Sequence, residues 1–345
     1  MKSTGMNYKE KILKVTATYF DDKIQYDKLF KATQEFKSIL EFLSEQDLNI
    51  EKGRVDMESE NGKAIGAYWA GLCLDDVIRT RQFIRGIDRA VQEQLKEKKK
   101  IHILYAGTGP FATLIMPIIF KYAPEQISYT FLEINPFTFE VLQKVASKIG
   151  LDQYHITFVN DNATTYQINT SKQPDVIISE TMQNSLIKEQ QVPIYMNLMK
   201  QVGPETVFIP EKIALHFGFN KKAESIEEQF ATSNIYPSVN VFEVSKKSFY
   251  PSNNTECNIN NSEVFSEQQC TITKEDWQIY DCLLLLTEIV IYKDILLPYN
   301  ASGLTTPMLI EKVDAFRKNP IQITSQYKIS AQPQLEYSID NIKYN

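Results

Sequence analysis

A chain of 345 residues, 43% apolar and 23% charged, can build two to three domains around sizeable cores. Its net charge of −6 and pI near 5.4 argue against a nucleic-acid partner and suit a cationic substrate. No run approaches the ~18 apolar residues of a membrane span, and the first ten residues hold no apolar signal core, so a cytoplasmic protein without a membrane partner is expected.

The minor residue types narrow the chemistry further. The four cysteines, at 73, 257, 270 and 282, lack Cys-x-x-Cys spacing and are expected as reduced thiols. Without secretion, the Asn-x-Thr and Asn-x-Ser triplets at Asn253 and Asn260 carry no meaning. His102, His155 and His216 all sit in or beside apolar strand-like runs. A histidine metal site or a Ser-His-Asp triad is therefore not expected, and no metal is assigned.

From the N-terminus, residues 6 to about 50 recur in apolar positions at helical spacing, through Tyr19, Ile24, Phe36, Ile39 and Leu43. Glu51–Lys63 is polar with two glycines and reads as a loop. Residues 64 to 97 return to a helical pattern. Then comes Ile101-His-Ile-Leu-Tyr-Ala-Gly-Thr-Gly109, a short apolar strand ending in a glycine turn, with Pro110 opening an apolar segment read as a helix that Pro117 kinks. A second strand, Ile127–Leu132, runs into Glu133, an acid placed to hold a ribose diol. Pro136 can open a helix that Gly150 ends. A third strand, Ile156–Val159, leads to Asn162-Ala163, a fourth, Asp175–Ile178, to Ser179-Glu180, a helix spans about Val192–Gln201, and a strand follows at Thr206–Ile209. Such alternation predicts a parallel sheet with ligands over the carboxyl ends of its strands. Beyond Pro210 the runs 213–219, 239–244, 263–272, 282–292, 321–329 and 334–339 are β-rich and predict an antiparallel, barrel-like domain.

No Walker sequence is present, so a nucleoside cofactor rather than a triphosphate is indicated. The turn also lacks the third glycine of a dinucleotide site, which favours S-adenosylmethionine and keeps a nicotinamide-dependent oxidoreductase as a minor alternative.

Asp175-Val-Ile-Ile-Ser-Glu180-Thr-Met, with Glu189 nine residues further on, resembles the double-glutamate loop of the protein arginine methyltransferases. Asp76-Val-Ile-Arg79-Thr80 is similar to that family's Asp-x-x-Arg-Thr helix. Gly107-Thr-Gly-Pro110 and Glu133-Ile-Asn-Pro136 resemble its first motif and ribose acid, most closely those of the symmetrically dimethylating branch. Phe208-Ile-Pro-Glu211 resembles the crossing into its barrel, and Leu335–Asp340 its closing strand. The likeness spans about residues 64–345.

The resemblance implies an α/β fold with a Rossmann-like class I methyltransferase domain (61–210) and an antiparallel β-barrel-like domain (211–345) for substrate and dimerisation; the N-terminal helical segment (1–60), read from its spacing, has no counterpart in it. It implies S-adenosylmethionine as cofactor and S-adenosylhomocysteine as product. Gly107, Thr108 and Gly109 would cradle the cofactor, Glu133 would take its ribose, Asn162 and Ala163 would lie near the adenine, and Arg79 would hold the methionine carboxylate. Glu180 and Glu189 would be the catalytic residues, orienting an arginine-like nitrogen. The acceptor is a protein or peptide arginine or a small molecule, a catalytically inactive binding protein is the other alternative, and a homodimer follows from the family's habit. The chain departs from the family at Tyr105, where a glycine is usual, in Asn61–Trp69, which matches the family's tyrosine-bearing helix poorly, and in Asn300–Met308, which has neither the His nor the Trp of the Thr-His-Trp loop.

Overall fold

A computed structural model describes residues 7–249, 265–273, 279–315 and 320–341. Asn253, Cys257, Asn260 and the start of the 263–272 run lie outside them. The chain divides into two compact units. The first takes in the chain up to Met57 together with Ala64–Glu180 and Gln201–Pro210; the second takes in Glu58–Lys63, Thr181–Lys200 and the chain from Glu211 onward. The predicted 51–63 loop holds a one-turn helix, Glu51–Arg54, and a small hairpin of β1 (Met57–Ser59) and β2 (Gly62–Ala64). Two glycines and scattered charge hide so short a pairing from any periodicity argument.

The first unit is built on five parallel strands, β3 (Ile101–Ala106), β4 (Ile127–Leu132), β5 (His155–Val159), β6 (Val176–Ser179) and β7 (Val207–Ile209), in the spatial order β5-β4-β3-β6-β7. β3 pairs with β4 on one edge and β6 on the other, so the chain reverses direction across the sheet at β3 and a crevice opens beyond its end. Burial on both faces explains the near-continuous apolar sequences of β3 and β6. The exception in β3, His102, is only half-buried, with its Nδ1 2.8 Å from the Ser128 hydroxyl and its Nε2 3.1 Å from that of Thr130 on β4. Burial lowers its pKa, in keeping with a structural, neutral imidazole. Asp175 sets the start of β6: its carboxylate accepts the His102 N–H at 2.7 Å and pairs with Lys98, while its own N–H donates to the His102 carbonyl.

Helices Tyr8–Thr16, Tyr26–Ser44, Val77–Glu97 and Pro136–Lys148 belong to this unit. Phe36, Ile39, Leu40 and Leu43 on the second are buried, as their helical spacing predicts, whereas Ile24 lies exposed in the non-helical link before it. The segment after the glycine turn departs from expectation. Residues 110–115 make irregular turns, Ala112 has a φ of 45°, and the helix is only Met116–Ile119. Pro117 does not kink it but occupies its first turn, where a missing N–H costs nothing.

In the second unit, β8 (Lys212–Lys221), β9 (Ile235–Ser245), β10 (Gln268–Ile272), β11 (Tyr280–Tyr292), β12 (Ile295–Leu297), β13 (Met308–Lys312), β14 (Ile321–Lys328) and β15 (Gln334–Asn341) form two antiparallel sheets. One runs β12-β11-β8-β9, with β13 also on β11; the other runs β10-β14-β15. Phe242 on β9 stacks on Tyr327 of β14 at 4.3 Å, both buried, and Phe217 of β8 meets the more exposed Tyr337 of β15 edge-on, so aromatic contacts join the two sheets. This is the barrel-like second domain anticipated above. β12 and β13 escaped the sequence reading because one has three residues and the other, a half-exposed strand, alternates poorly.

Among the described residues no helix is long and apolar enough to cross a membrane, no acid, Cys or His cluster could hold a metal, and Cys73, Cys270 and Cys282 are free thiols.

Glu288 on β11 sits between two basic neighbours on β8, with Lys212 Nζ at 2.6 Å and His216 Nε2 at 2.8 Å. The His216 hydrogen bond, then Lys212, holds its pKa down to about 2 from a reference of 4.5. The carboxylate therefore stabilises the fold above about pH 4.5, and that contribution is lost as pH falls toward 2. Glu288→Gln should flatten the acid limb of stability against pH in that window, measured by urea unfolding followed by circular dichroism.

Candidate functional site

The glycine turn leaves β3 with Gly107 at φ +76° and Gly109 at φ +63°, a region L side chains enter at a cost. The Gly107 N–H donates to the Leu132 carbonyl at 2.8 Å, which ties the turn to the end of β4. Glu133 follows directly on β4, its own N–H bonded to the Val159 carbonyl of β5. Its carboxylate, 6% exposed, accepts the Gly109 N–H on Oε2 and the Asn135 N–H on Oε1, both at 2.9 Å. Burial raises its pKa, against the opposing hydrogen bonds from Asn135, Gly109, Ile134 and the Thr108 side chain. The Gly109 and Asn135 N–H groups each hold one oxygen, and the Ile134 N–H and the Thr108 side chain face the same carboxylate.

Two asparagines that the sequence reading passed over shape this corner. Asn135 caps the helix Pro136–Lys148 by accepting from the Phe137 and Thr138 N–H groups. Asn160 donates through Nδ2 to the carbonyls of Glu133 at 2.7 Å and Ile134 at 3.1 Å. The Asn-Pro pair at 135–136 was a legible cap signal; nothing in the sequence marks Asn160. Asn162 turns its Oδ1 onto the Thr164 N–H and hydroxyl, and Ala163 beside it is buried. Tyr105, in place of the usual glycine, is buried edge-on against Phe131 of β4.

Arg79 lies in the first turn of the helix Val77–Glu97, whose N-cap Asp76 accepts the Arg79 N–H at 3.1 Å. Its Nη1 donates to the Cys73 carbonyl at 3.0 Å and its Nη2 pairs with Oε2 of Glu180, just past β6. The two side chains are only 9% and 4% exposed. The structure thus brings the glycine turn, Glu133 and Glu180 to the carboxyl ends of adjacent strands, and joins Arg79 directly to Glu180.

Glu189 belongs to the second unit and is 7% exposed. The loop that carries it is anchored there throughout. Thr181 donates through N–H and hydroxyl to Gln191 Oε1, the Ser185 N–H to the Thr287 hydroxyl at 2.7 Å, and the Lys188 N–H to the Pro333 carbonyl. Tyr327 donates its hydroxyl to the Leu186 carbonyl at 2.7 Å, and the Lys63 N–H donates to the Lys188 carbonyl. These bonds hold Ser185, Leu186 and Lys188 at positive φ. Asn300–Met308 lies against this loop, the Thr306 carbonyl accepting from Asn184.

The sequence matches no protein-family profile, and no curated protein matches it. Solved structures do. The PRMT1 enzyme–prozyme heterotetrameric complex of Trypanosoma brucei, solved with AdoHcy, aligns at a TM-score of 0.51 and 12% identity over 79% of this chain and 92% of that one. Protein arginine methyltransferase 10 of Arabidopsis thaliana, in an open conformation, aligns at 0.52 and 12% over 79% and 93%. At this identity the likeness is one of fold: a Rossmann-like α/β unit followed by a barrel-like antiparallel unit.

Two stability changes check this geometry. Gly109→Ala would meet the Ala70 Cβ only at an ordinary 3.6 Å, so its cost is the backbone's, about 1–2 kcal/mol by chemical denaturation. Thr287→Val leaves the Ser185 N–H without its acceptor and should cost about 1–3 kcal/mol, with Thr287→Ser largely restoring it.

Proposed function

We propose that the chain is an S-adenosylmethionine-dependent methyltransferase whose acceptor is a cationic nitrogen of the arginine guanidinium kind. The observation that carries this reading is the buried Glu133 carboxylate at the end of β4, wired to the glycine turn by the Gly109 N–H. A phosphate would be repelled there, whereas the hydroxyls of a ribose diol would donate to the carboxylate. Arg79 would bind the cofactor's carboxylate, and Asn162 and Ala163 would border its base. When bound, the cofactor supplies an electrophilic methyl group on a sulfonium.

The protein's part is then mostly positioning. Glu180 and Glu189 would hold the acceptor cation, orient its nitrogen in line and bias its electron density toward the attacking atom. Two carboxylates also suit the chain's negative charge. The cofactor-binding residues and Glu180 all belong to the first unit and Glu189 to the second, and the heterotetramer of one structural neighbour supports assembly into a dimer or larger complex. Asn300–Met308, without His or Trp, favours a second acceptor class, a small molecule bearing a guanidine or amine, on the same machinery.

The deciding experiment gives the purified protein methyl-labelled S-adenosylmethionine and an extract of its own cells. Label released from protein as methylarginine supports the peptide acceptor; label confined to small molecules supports the second class; no label anywhere overturns catalysis. Glu133→Ala should weaken S-adenosylhomocysteine binding at least tenfold, about 1–3 kcal/mol for the lost hydrogen bonds, by calorimetric titration. Glu180→Gln should abolish transfer of label.

A further inference from the structure

The residue proposed to receive the cofactor's anionic end, Arg79, and one proposed to receive the acceptor's positive charge, Glu180, neutralise each other. Both side chains are more than nine-tenths buried, so opening the pair with nothing to replace it strands an uncompensated charge inside the protein. Arg79 is the fixed half. Its N–H is tied to the Asp76 cap, its Nη1 to the Cys73 carbonyl, and its guanidinium lies over Phe83 at 6.0 Å. The Glu180 backbone follows directly on the end of β6. What remains free to move is the Glu180 carboxylate.

We infer that Arg79 and Glu180 form an exchangeable ion pair that couples the two ligands, an inference that rests on the cofactor reading above. A carboxylate arriving at Arg79 displaces Glu180, whose bared charge then attracts a cation; a cation arriving at Glu180 likewise bares Arg79. Either ligand alone leaves one buried charge unbalanced. The two together exchange one ion pair for two. The anionic end of the cofactor and the positive charge of the acceptor therefore bind with positive coupling, each raising the other's affinity by the same factor. A nucleoside without the carboxylate leaves Glu180 paired and uncoupled.

The test titrates the full-length protein and Glu180→Gln, by calorimetry, with S-adenosylhomocysteine and with methylthioadenosine, which keeps the nucleoside and lacks the amino-acid tail. Removing the competing charge should tighten S-adenosylhomocysteine about tenfold, within the usual span of such couplings, and change methylthioadenosine less than about twofold. Unchanged or weaker S-adenosylhomocysteine binding, with methylthioadenosine constant, overturns the exchange while leaving the methyltransferase reading intact. No binding of either nucleoside to the unsubstituted protein overturns both. If circular dichroism shows Glu180→Gln misfolded, Glu180→Asp decides: it keeps the charge, withdraws it by one methylene, and should give a smaller gain of the same kind.

Discussion

β3 is paired along both edges, and most of the candidate site depends on that constraint. Because β4 and β6 both run parallel to it, their carboxyl ends open on the same side as its own. Glu133 and Glu180, each one residue past its strand, are therefore delivered to either flank of the glycine turn. The position of these groups follows from sheet register, and register in turn from details such as Asp175, whose carboxylate and N–H both bond the His102 backbone.

Charge burial is the second organising force. Glu133, Arg79 and Glu180 are withdrawn from water, a condition tolerable only where hydrogen bonds or an opposite charge answer each group. Two means are used. Glu133 is answered by backbone dipoles, which cannot leave, whereas Glu180 is answered by a side chain, which can find another partner.

How much of this the sequence disclosed depends on the range of the cause. The strands of the parallel sheet, the acids that end them and the Asp76-to-Arg79 turn were legible, because burial on both faces and helix capping leave local, short-range patterns. The segment after Gly109 was misread: its apolar residues suggested a helix, but Ala112 turns left-handed and Pro117 confines helix to a single turn. The hairpin 57–64 and β12 are too short for any period to register, and the half-exposed β13 alternates poorly. Least legible were the long-range anchors. Thr287, Tyr327 and Pro333 lie from 102 to more than 140 residues beyond the loop positions they hold. Nothing in the local chain foretells such pairings.

That last arrangement bears on the order in which the protein is made. By the time residue 210 has left the ribosome, all five strands of the parallel sheet, Glu133, Arg79 and Glu180 are available to the first unit. The loop carrying Glu189 has also been synthesised, yet its partners Thr287, Thr306, Tyr327 and Pro333 have not. A nascent chain can thus assemble the parallel sheet well before the loop carrying Glu189 meets the partners that hold it.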